Sequence, residues 1–311
     1  MDASAFEYFH AVARTGSISR ASVELGMEPS TVTRHIARLE QDAGVKLFHR
    51  SGRGMLLTDA GALLLQEAGK VVDTLQHARR VAADLAAGGP SQIVVAAQPT
   101  IVKVCFAAMA HALRSRYPRA RVRVIEGSAH ELVSWLHQGK VDAALLYVPH
   151  LAQGHAGGEV LLREPLHCIF PAVQPAPPGP VTVPAALELP LILPSTSHGL
   201  RALAESWAQR HGKSLDVVLE CDGSTSMTRR MVQAGLGCTI LPLASVEEEV
   251  GRGLLQAVRI EGPEALRSVV LATAQNRPPV TGLLDITHLL RDTVFQLVDA
   301  GRWPGVDRRT A

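Results

Sequence analysis

Aromatic residues make up only 4% of this 311-residue chain, yet 47% of it is hydrophobic, enough to bury sizeable cores in two or three globular units. Its four cysteines, Cys105, Cys168, Cys221 and Cys238, are scattered and form no CxxC pair. That excludes a disulfide scaffold and reads as reduced, mostly buried thiols. The 13 histidines lack metal spacing: His130 and His137 are too far apart for one helical turn, and no HExxH occurs, so neither metal nor cofactor is expected. No apolar run reaches about 18 residues. The chain opens with Asp2 and Glu7 rather than a basic stretch and an apolar run, so a cytoplasmic protein with no membrane partner is expected. Charge of one sign is also missing. The formal net charge is +2, and residues 1–60 balance seven Lys or Arg against seven Asp or Glu, so any attraction for a polyanion must be local.

Residues 17–58 carry a recognisable order of elements. Ser17 can cap a helix running to Leu25, with Ala21 small enough for close packing and Gly26 supplying a left-handed turn. Before it, Phe6, Phe9, Val12 and Ala13 give a first helix one apolar face. A further helix runs from Pro29 to Gln41. Spaced at about 100° per residue, Val32, Ile36 and Leu39 fall on one stripe, which must face the preceding helices. Ser30, Arg34, Ala37 and Gln41 then point outward, flanked by Thr31, Thr33 and Arg38. Glu40 and Asp42 fall at the helix end, where they need not face a polyanion. Val45 to Arg50 and Met55 to Leu57 read as two strands joined through Ser51-Gly52-Arg53-Gly54, with Arg53 at the tip of the turn. Helix pair plus basic hairpin is the layout of a winged helix-turn-helix, which lays a helix in the major groove of double-stranded DNA and sets a basic tip beside it. The candidate DNA contacts are Ser17, Ser30, Thr31, Thr33, Arg34, Arg38, Arg50 and Arg53.

Beyond the hairpin, Leu64, Ala68, Val71, Leu75, Ala78, Ala82 and Leu85 recur at alternating steps of four and three. This heptad seam spans about three heptads on a helix of roughly 30 residues, capped by Thr58 and stopped at Gly88-Gly89-Pro90. One reading is a pairing helix for a homodimer; the other is an amphipathic helix lying on its own domain.

After Pro90 the pattern turns to alternating strand and helix. Strands are expected at Ile93–Ala97, Val122–Glu126, Val141–Leu146, Leu166–Pro171, Leu191–Leu193, Val217–Cys221, Cys238–Leu241 and Ser268–Thr273. Helices are expected at 101–117, 131–138, 200–211, 226–234 and 283–298. The Pro-rich run Pro171–Pro184 reads as a loop. This is an α/β repeat with parallel strands. Small or hydroxyl residues mark the strand-to-helix junctions: Gln98-Pro99-Thr100, Gly127-Ser128, Ser195-Thr196-Ser197-His198 and Ser224-Thr225. Ligands of open α/β sheets sit at the carboxyl ends of strands, where free helix N–H groups favour a small anion. Each junction taken alone is equally an ordinary helix cap.

Several of these residues together carry a family resemblance. Phe9 with Val12-Ala13, Gly16-Ser17, Ala21, Leu25, Thr33-Arg34-His35-Ile36, Leu39-Glu40, Gly44-Val45, Leu47-Phe48, Arg50, Gly54 and Leu57-Thr58-Asp59-Ala60-Gly61 resemble the DNA-binding end of the LysR-type transcriptional regulators. Many members open the recognition helix with Gln-Pro; here Pro29 is followed by Ser30, so that glutamine contact is not carried over. Thr33, Arg34 and Arg53 do match the pattern. In the second half, Pro99-Thr100, Tyr117-Pro118, Glu126-Gly127, Gly139-Lys140-Val141-Asp142 and Ala234-Gly235-Leu236-Gly237 with Ile240-Leu241-Pro242 look like the effector-binding domain of the same family. The segment Leu191 to Ser195 followed by His198-Gly199-Leu200-Arg201 is similar to members near the nitrogen assimilation control branch.

The resemblance implies a multidomain chain. Residues 1–58 would form an all-α winged helix-turn-helix domain, 59–89 a long linker and dimerisation helix, and 90–311 a two-lobed α/β domain like the periplasmic solute-binding proteins. Lobe one would be 91–163 plus 268–300 and lobe two 164–267. It implies a homodimer or homotetramer, RNA polymerase as a further partner, and a small-molecule effector, a carboxylate by the anion argument, in an inter-lobe cleft. The effector candidates are Pro99, Thr100, Ser128, Tyr147, Ser195, His198, Arg201 and Thr225. A redox disulfide, as in peroxide-sensing relatives, would fall to Cys221 and Cys238, but both lie in strand-like runs.

Two rivals are set against this reading. Ser195 and His198 invite a nucleophile, but they sit in one loop, no GxSxG is present and no acid orients the histidine, so no enzyme is expected. A solute-binding protein of the cell envelope would share two lobes, but the first 88 residues and the lack of a signal peptide oppose it.

Overall fold

A computed structural model describes residues 2–51, 54–87, 89–149, 158–195, 199–222, 224–274 and 280–306. The chain forms two compact units, residues 1–88 and 89–311.

The first unit is a head of three short helices, α1 (Ala3–Thr15), α2 (Ile18–Leu25) and α3 (Pro29–Ala43), followed by a hairpin, β1 (Phe48–Ser51) and β2 (Gly54–Leu57), and a long helix, α4 (Asp59–Ala87). Asp2 and Ser17 cap α1 and α2, and each of the three helices ends on a left-handed glycine, Gly16, Gly26 or Gly44. Phe9, Val12, Ala21, Val32, Ile36, Leu39, Leu47, Phe48 and Ala68 fill one core. The Phe9 and Phe48 rings meet at 5.3 Å between centroids.

The first strand begins at Phe48, not Val45, because the backbone before it is engaged elsewhere. Leu47 donates its N–H to Glu40 and accepts from Thr58. The strands pair antiparallel from Phe48 opposite Leu57 to Ser51 opposite Gly54. Gly54 has φ +129°, and a Cβ there would stand 2.3 Å from the Gly16 carbonyl oxygen, which accepts the Met55 N–H. Only glycine lets the hairpin close so tightly on the α1–α2 turn.

The second unit contains β3 (Gln92–Ala97), α5 (Pro99–Arg116), β4 (Arg121–Glu126), α6 (Ala129–His137), β5 (Ala143–Pro149), β6 (Glu159–Pro171), β7 (Val181–Thr182), α7 (Val183–Leu187), β8 (Leu191–Leu193), α8 (Gly199–His211), β9 (Val217–Glu220), α9 (Thr225–Gln233), β10 (Thr239–Pro242), α10 (Leu243–Gly251), β11 (Leu255–Glu261), β12 (Leu266–Thr273) and α11 (Leu283–Asp299). One sheet runs in the order β4-β3-β5-β12-β6-β11-β7, with β10 also on β6; β8 and β9 form a separate pair.

The expected parallel pairing holds for β3 with β4 and β5 and for β8 with β9, where a helix connects successive strands. It fails elsewhere. β12 runs antiparallel to β5 and β6, and β6 antiparallel to β10 and β11, so the unit is a mixed α/β fold. The Pro-rich run, expected to be a loop throughout, pairs near its end as β7. Helix α10 and strand β11 lie outside the expected elements.

The sheet curls into two lobes because β6 serves both. Its residues up to Pro165 pair with β12, and from Leu166 onward it pairs with β10 and β11. Lobe one packs α5 and α11 on one sheet face through Ile101, Cys105, Met109, Ile286, Leu290 and Val294, and α6 on the other through Leu132 and Leu136. Lobe two packs α7 and α8 through Leu187, Leu203 and Trp207, with α9 and α10 on its other face. Where the lobes meet, Glu164 is fully buried, accepting from Arg267 at 3.1 and 3.3 Å and from Trp303 Nε1 at 2.9 Å. Ala244, at the start of α10, is buried in the lobe-one core. No helix among the described residues is long and apolar enough to cross a membrane.

Candidate nucleic-acid interface and ligand site

The face of α3 divides as its spacing requires. Val32, Ile36 and Leu39 are buried, while Ser30, Arg34, Ala37, Arg38 and Gln41 are exposed and Thr31 and Thr33 half-buried. Thr33 donates its hydroxyl to the Pro29 carbonyl at 2.8 Å, and its oxygen keeps acceptor capacity. Pro29 occupies the first turn and Glu28 gives no side-chain cap, so the leading N–H groups of α3 lack a side-chain partner. Ser17 is placed differently, its hydroxyl capping α2 by accepting from Arg20 N. Arg50 lies on β1 opposite Met55. Arg53 lies outside the described residues.

Sequence reasoning sets Glu40 aside as a helix-end acid. It is instead turned inward, only 9% exposed. One carboxylate oxygen accepts from Leu47 N at 2.9 Å and Phe48 N at 3.3 Å, and the other takes Lys46 Nζ at 2.6 Å. Burial alone would raise its pKa, but the hydrogen bonds from Lys46, Leu47 and Phe48 outweigh it and hold the carboxyl below its ordinary value. Its spacing of four from Ile36, on the buried stripe, was the signal available in the sequence.

The heptad seam on α4 is divided along its length. Ala68 is wholly buried and Leu64 packs in the head core, while Glu7 on α1 grips Arg79 by two hydrogen bonds of 2.6 and 3.1 Å. Leu85, by contrast, is 74% exposed. A single apolar stripe therefore serves the head's own packing at one end and lies open at the other, which is why periodicity alone leaves both readings standing.

In the second unit, the candidate effector residues gather at strand ends within each lobe. Pro99 and Thr100 follow β3, Ser128 follows β4 and Tyr147 sits in β5, three adjacent strands tied by Gly127 N to Ala97 O and Tyr147 N to Gln98 Oε1. Ser195 and Thr225 follow the paired strands β8 and β9, joined where Ser195 N donates to Asp222 Oδ1 at 2.6 Å. His198 lies outside the described residues.

Not all of these groups are open to a ligand. Ser128 and Glu131 form a reciprocal capping box, and the Ser128 hydroxyl donates to Glu131 at 2.8 Å. The Ser128 N–H and hydroxyl hold the Glu131 carboxyl below its ordinary value, so the start of α6 already carries an anion of its own. Arg201 was a candidate carboxylate partner; its guanidinium is already paired with Glu205 at 2.7 Å and Glu220 at 3.3 Å. Tyr147 is turned toward the lobe-one core, its ring beneath the Arg267 guanidinium at 3.3 Å and its hydroxyl buried. Burial, then the Glu164 carboxylate, push that phenol well above its usual range. Of the helices that follow the candidate strand ends, α5 and α9 have no side-chain cap, behind Gln98 and Ser224; α10 and α11, elsewhere in the unit, have none either.

All four cysteines are free and buried. Cys221 packs with Ile192 and Val232, Cys238 with Cys168 and Leu191 in a separate core. Burial pushes the Cys238 and Cys168 thiols up to about 11 and about 12.

Comparison with known proteins supplies the family. Residues 4–62 match the bacterial regulatory helix-turn-helix proteins of the lysR family, and residues 86–294 match the LysR substrate binding domain. Among curated relatives, the HTH-type transcriptional regulator BbuR of Bordetella bronchiseptica is 28% identical over 98% of this chain and 94% of its own. A probable hydrogen peroxide-inducible genes activator of Mycobacterium avium is 28% identical over 85% of each chain. Solved structures share the fold: a full-length OxyR variant from Pseudomonas aeruginosa (TM-score 0.68, 22% identity, 99% of this chain and 98% of that one) and full-length CbnR complexed with its target DNA (0.66, 20%, 94% and 100%). The chain belongs to the LysR family: it is a DNA-binding transcriptional regulator with an effector-binding domain, and not an enzyme.

Proposed function

We propose that this regulator reads a partly palindromic operator with paired heads, each laying α3 in the major groove of double-stranded DNA. Ser30, Thr31, Thr33, Arg34 and Arg38 face base edges and phosphates, Ser17 meets a phosphate at the start of α2, and Arg50 and Arg53 reach the flanking backbone or minor groove from the wing. The observation that carries this reading is the division of α3: its aliphatic stripe is buried and its hydroxyl and guanidinium stripe is exposed. A formally neutral head offers few phosphate contacts, so pairing is needed for affinity, and the exposed end of α4 around Leu85 suits a partner helix in a homodimer or homotetramer. In domain terms, 1–58 reads DNA, 59–89 links and pairs, and 90–311 receives the effector. The site of action is the cytoplasm, with RNA polymerase as the downstream partner.

The effector in this reading is a small molecule in the inter-lobe cleft. The uncapped starts of α5 and α9, with Thr100 and Thr225, offer N–H groups to an anionic group such as a carboxylate. To regulate, it must bind the two lobe or subunit arrangements unequally. Peroxide acting through a Cys221–Cys238 disulfide is disfavoured, because those thiols occupy separate cores.

The deciding experiment is Arg34→Ala in the full chain. Affinity for a duplex selected from a random pool by the unmodified protein is expected to fall by roughly 1–3 kcal/mol with the fold retained. Unchanged affinity at fixed salt would remove α3 as the reading surface. Thermal melts against a panel of small acids, amino acids and aromatics test the effector; a panel with no upward shift for any acid removes the carboxylate.

A further inference from the structure

Laying α3 in a groove, as proposed above, does not by itself require the hairpin to hold one fixed angle, yet the segment that launches it is gripped from two sides. From α3, the Glu40 carboxylate takes the N–H groups of Leu47 and Phe48, the last residue before the strand and the first within it. From the start of α4, Thr58 N donates to the Leu47 carbonyl at 3.0 Å, and Thr58 Oγ1 donates to the Lys46 carbonyl at 2.7 Å while accepting from Gly61 N at 2.9 Å. The fit is close: a Cβ at Gly61 would stand 2.2 Å from the Leu47 carbonyl oxygen.

We propose that Glu40 is the positioning residue that sets the wing against the recognition helix, its carboxylate fixing the exit angle of the 46–48 segment so that wing and helix meet one duplex together. Glu40 touches no DNA in this arrangement. It supplies acceptors for two N–H groups that, beside the buried Leu47 and Phe48 side chains, have little access to water. Those side chains anchor the segment in the head core whether or not the carboxylate is present, so removing Glu40 frees the angle of the wing rather than releasing the wing from the head. Lys46 pairs with the other carboxylate oxygen but stays 76% exposed, so its charge remains open to a phosphate whether or not Glu40 is present.

The inference rests on the reading that α3 and the wing both meet DNA, and the experiment separates the two. Binding of the full chain to the selected duplex and to a scrambled duplex is measured across a salt series, for the parent and for Glu40→Ala, Glu40→Gln, Glu40→Asp, Arg34→Ala and Arg50→Ala. For Glu40→Ala the expected result is about a tenfold loss of affinity, a salt dependence shallower by about one in log–log slope, and an unchanged base preference on re-selection. Glu40→Gln keeps a carbonyl acceptor for both N–H groups and should restore the parental slope. Glu40→Asp keeps the charge but falls one methylene short, and should behave as the alanine variant does; it decides the question if the alanine variant fails to fold. A parental slope in both the Ala and Asp variants overturns the inference, as does an altered base preference, which would mean that Glu40 orients α3 itself. If Arg34→Ala and Arg50→Ala also leave binding unchanged, it is the underlying DNA-contact reading that falls.

Discussion

In the head, Glu40 turns one oxygen to the main-chain N–H groups of Leu47 and Phe48 and the other to the exposed Lys46, whereas in the effector-binding domain Glu164 turns both oxygens to buried side chains, Arg267 and Trp303. The first arrangement fixes where a backbone segment goes. The second fixes how three strands cross, since Tyr147, Glu164 and Arg267 come from β5, β6 and β12. A buried carboxylate that holds backbone can be replaced by another acceptor with modest loss; one that neutralises a buried guanidinium cannot be removed without stranding a charge.

The largest expected effect follows from that difference. Glu164→Ala leaves Arg267 buried and unpaired, and should cost about 3–5 kcal/mol in the effector-binding domain while the head is unaffected. The measurement is direct because Trp135, Trp207 and Trp303 all lie in the second unit. Tryptophan fluorescence during urea unfolding therefore reports that unit alone, and amide exchange reports the head; equal loss in both would break the contrast.

Acid should separate the units next. His167 is 7% exposed, and burial, then Arg259 on the facing strand, lower its pKa from 6.5 to about 4. The unfolded chain takes up that proton below pH 6.5 and the folded one resists it, so stability present above 6.5 drains away as pH falls toward 4, by about 3 kcal/mol in all. In the head, the Glu40 carboxyl is held below 4.5, so its contribution persists until the pH falls through that range. Unfolding followed by fluorescence should thus weaken between pH 6.5 and 4 before the head does, and His167→Leu should flatten that slope; a slope unaltered in the leucine variant would assign it elsewhere.

Smaller effects sharpen the head's side of the comparison. Gly61→Ala drives a Cβ against the Leu47 carbonyl oxygen and should cost about 1–3 kcal/mol, seen as faster exchange of the Leu47 and Phe48 amides. Ser17→Ala removes the α2 cap for about 1 kcal/mol, seen as a small drop in the head's melting temperature. A loss at Ser17 exceeding that at Gly61 would reverse the ranking of close packing over capping.

How legible each unit is in the sequence follows from the range of its contacts. The head's helices are visible because Ser17, Gly26, Val32, Ile36 and Leu39 act over a few residues, by capping or by helical spacing. Glu40 is misjudged because its partners lie beyond the glycine that ends its helix. In the effector-binding domain, strand-to-helix junctions can be marked from Pro99, Ser128 and Ser195, and strands at Leu166–Pro171, Cys238–Leu241 and Ser268–Thr273, but the antiparallel pairing of β6, β10, β11 and β12 cannot. Their partners are far away in sequence, and nothing local in Glu159–Pro171 announces a strand that changes neighbours at Pro165. Arg201 illustrates the same limit: a lone arginine near a junction looks available until Glu205 and Glu220 are placed beside it.

Ala244 belongs by sequence to the second lobe yet is packed among the aliphatic side chains of the first, and Glu248 on the same helix reaches Lys103. Like a tenon in a mortise, this joint tolerates sliding and small twists but would expose apolar surface if the halves swung far apart. If an effector binds between the lobes as proposed, this packing favours shallow, low-amplitude rearrangements, and its signal would have to be magnified by leverage outside this joint.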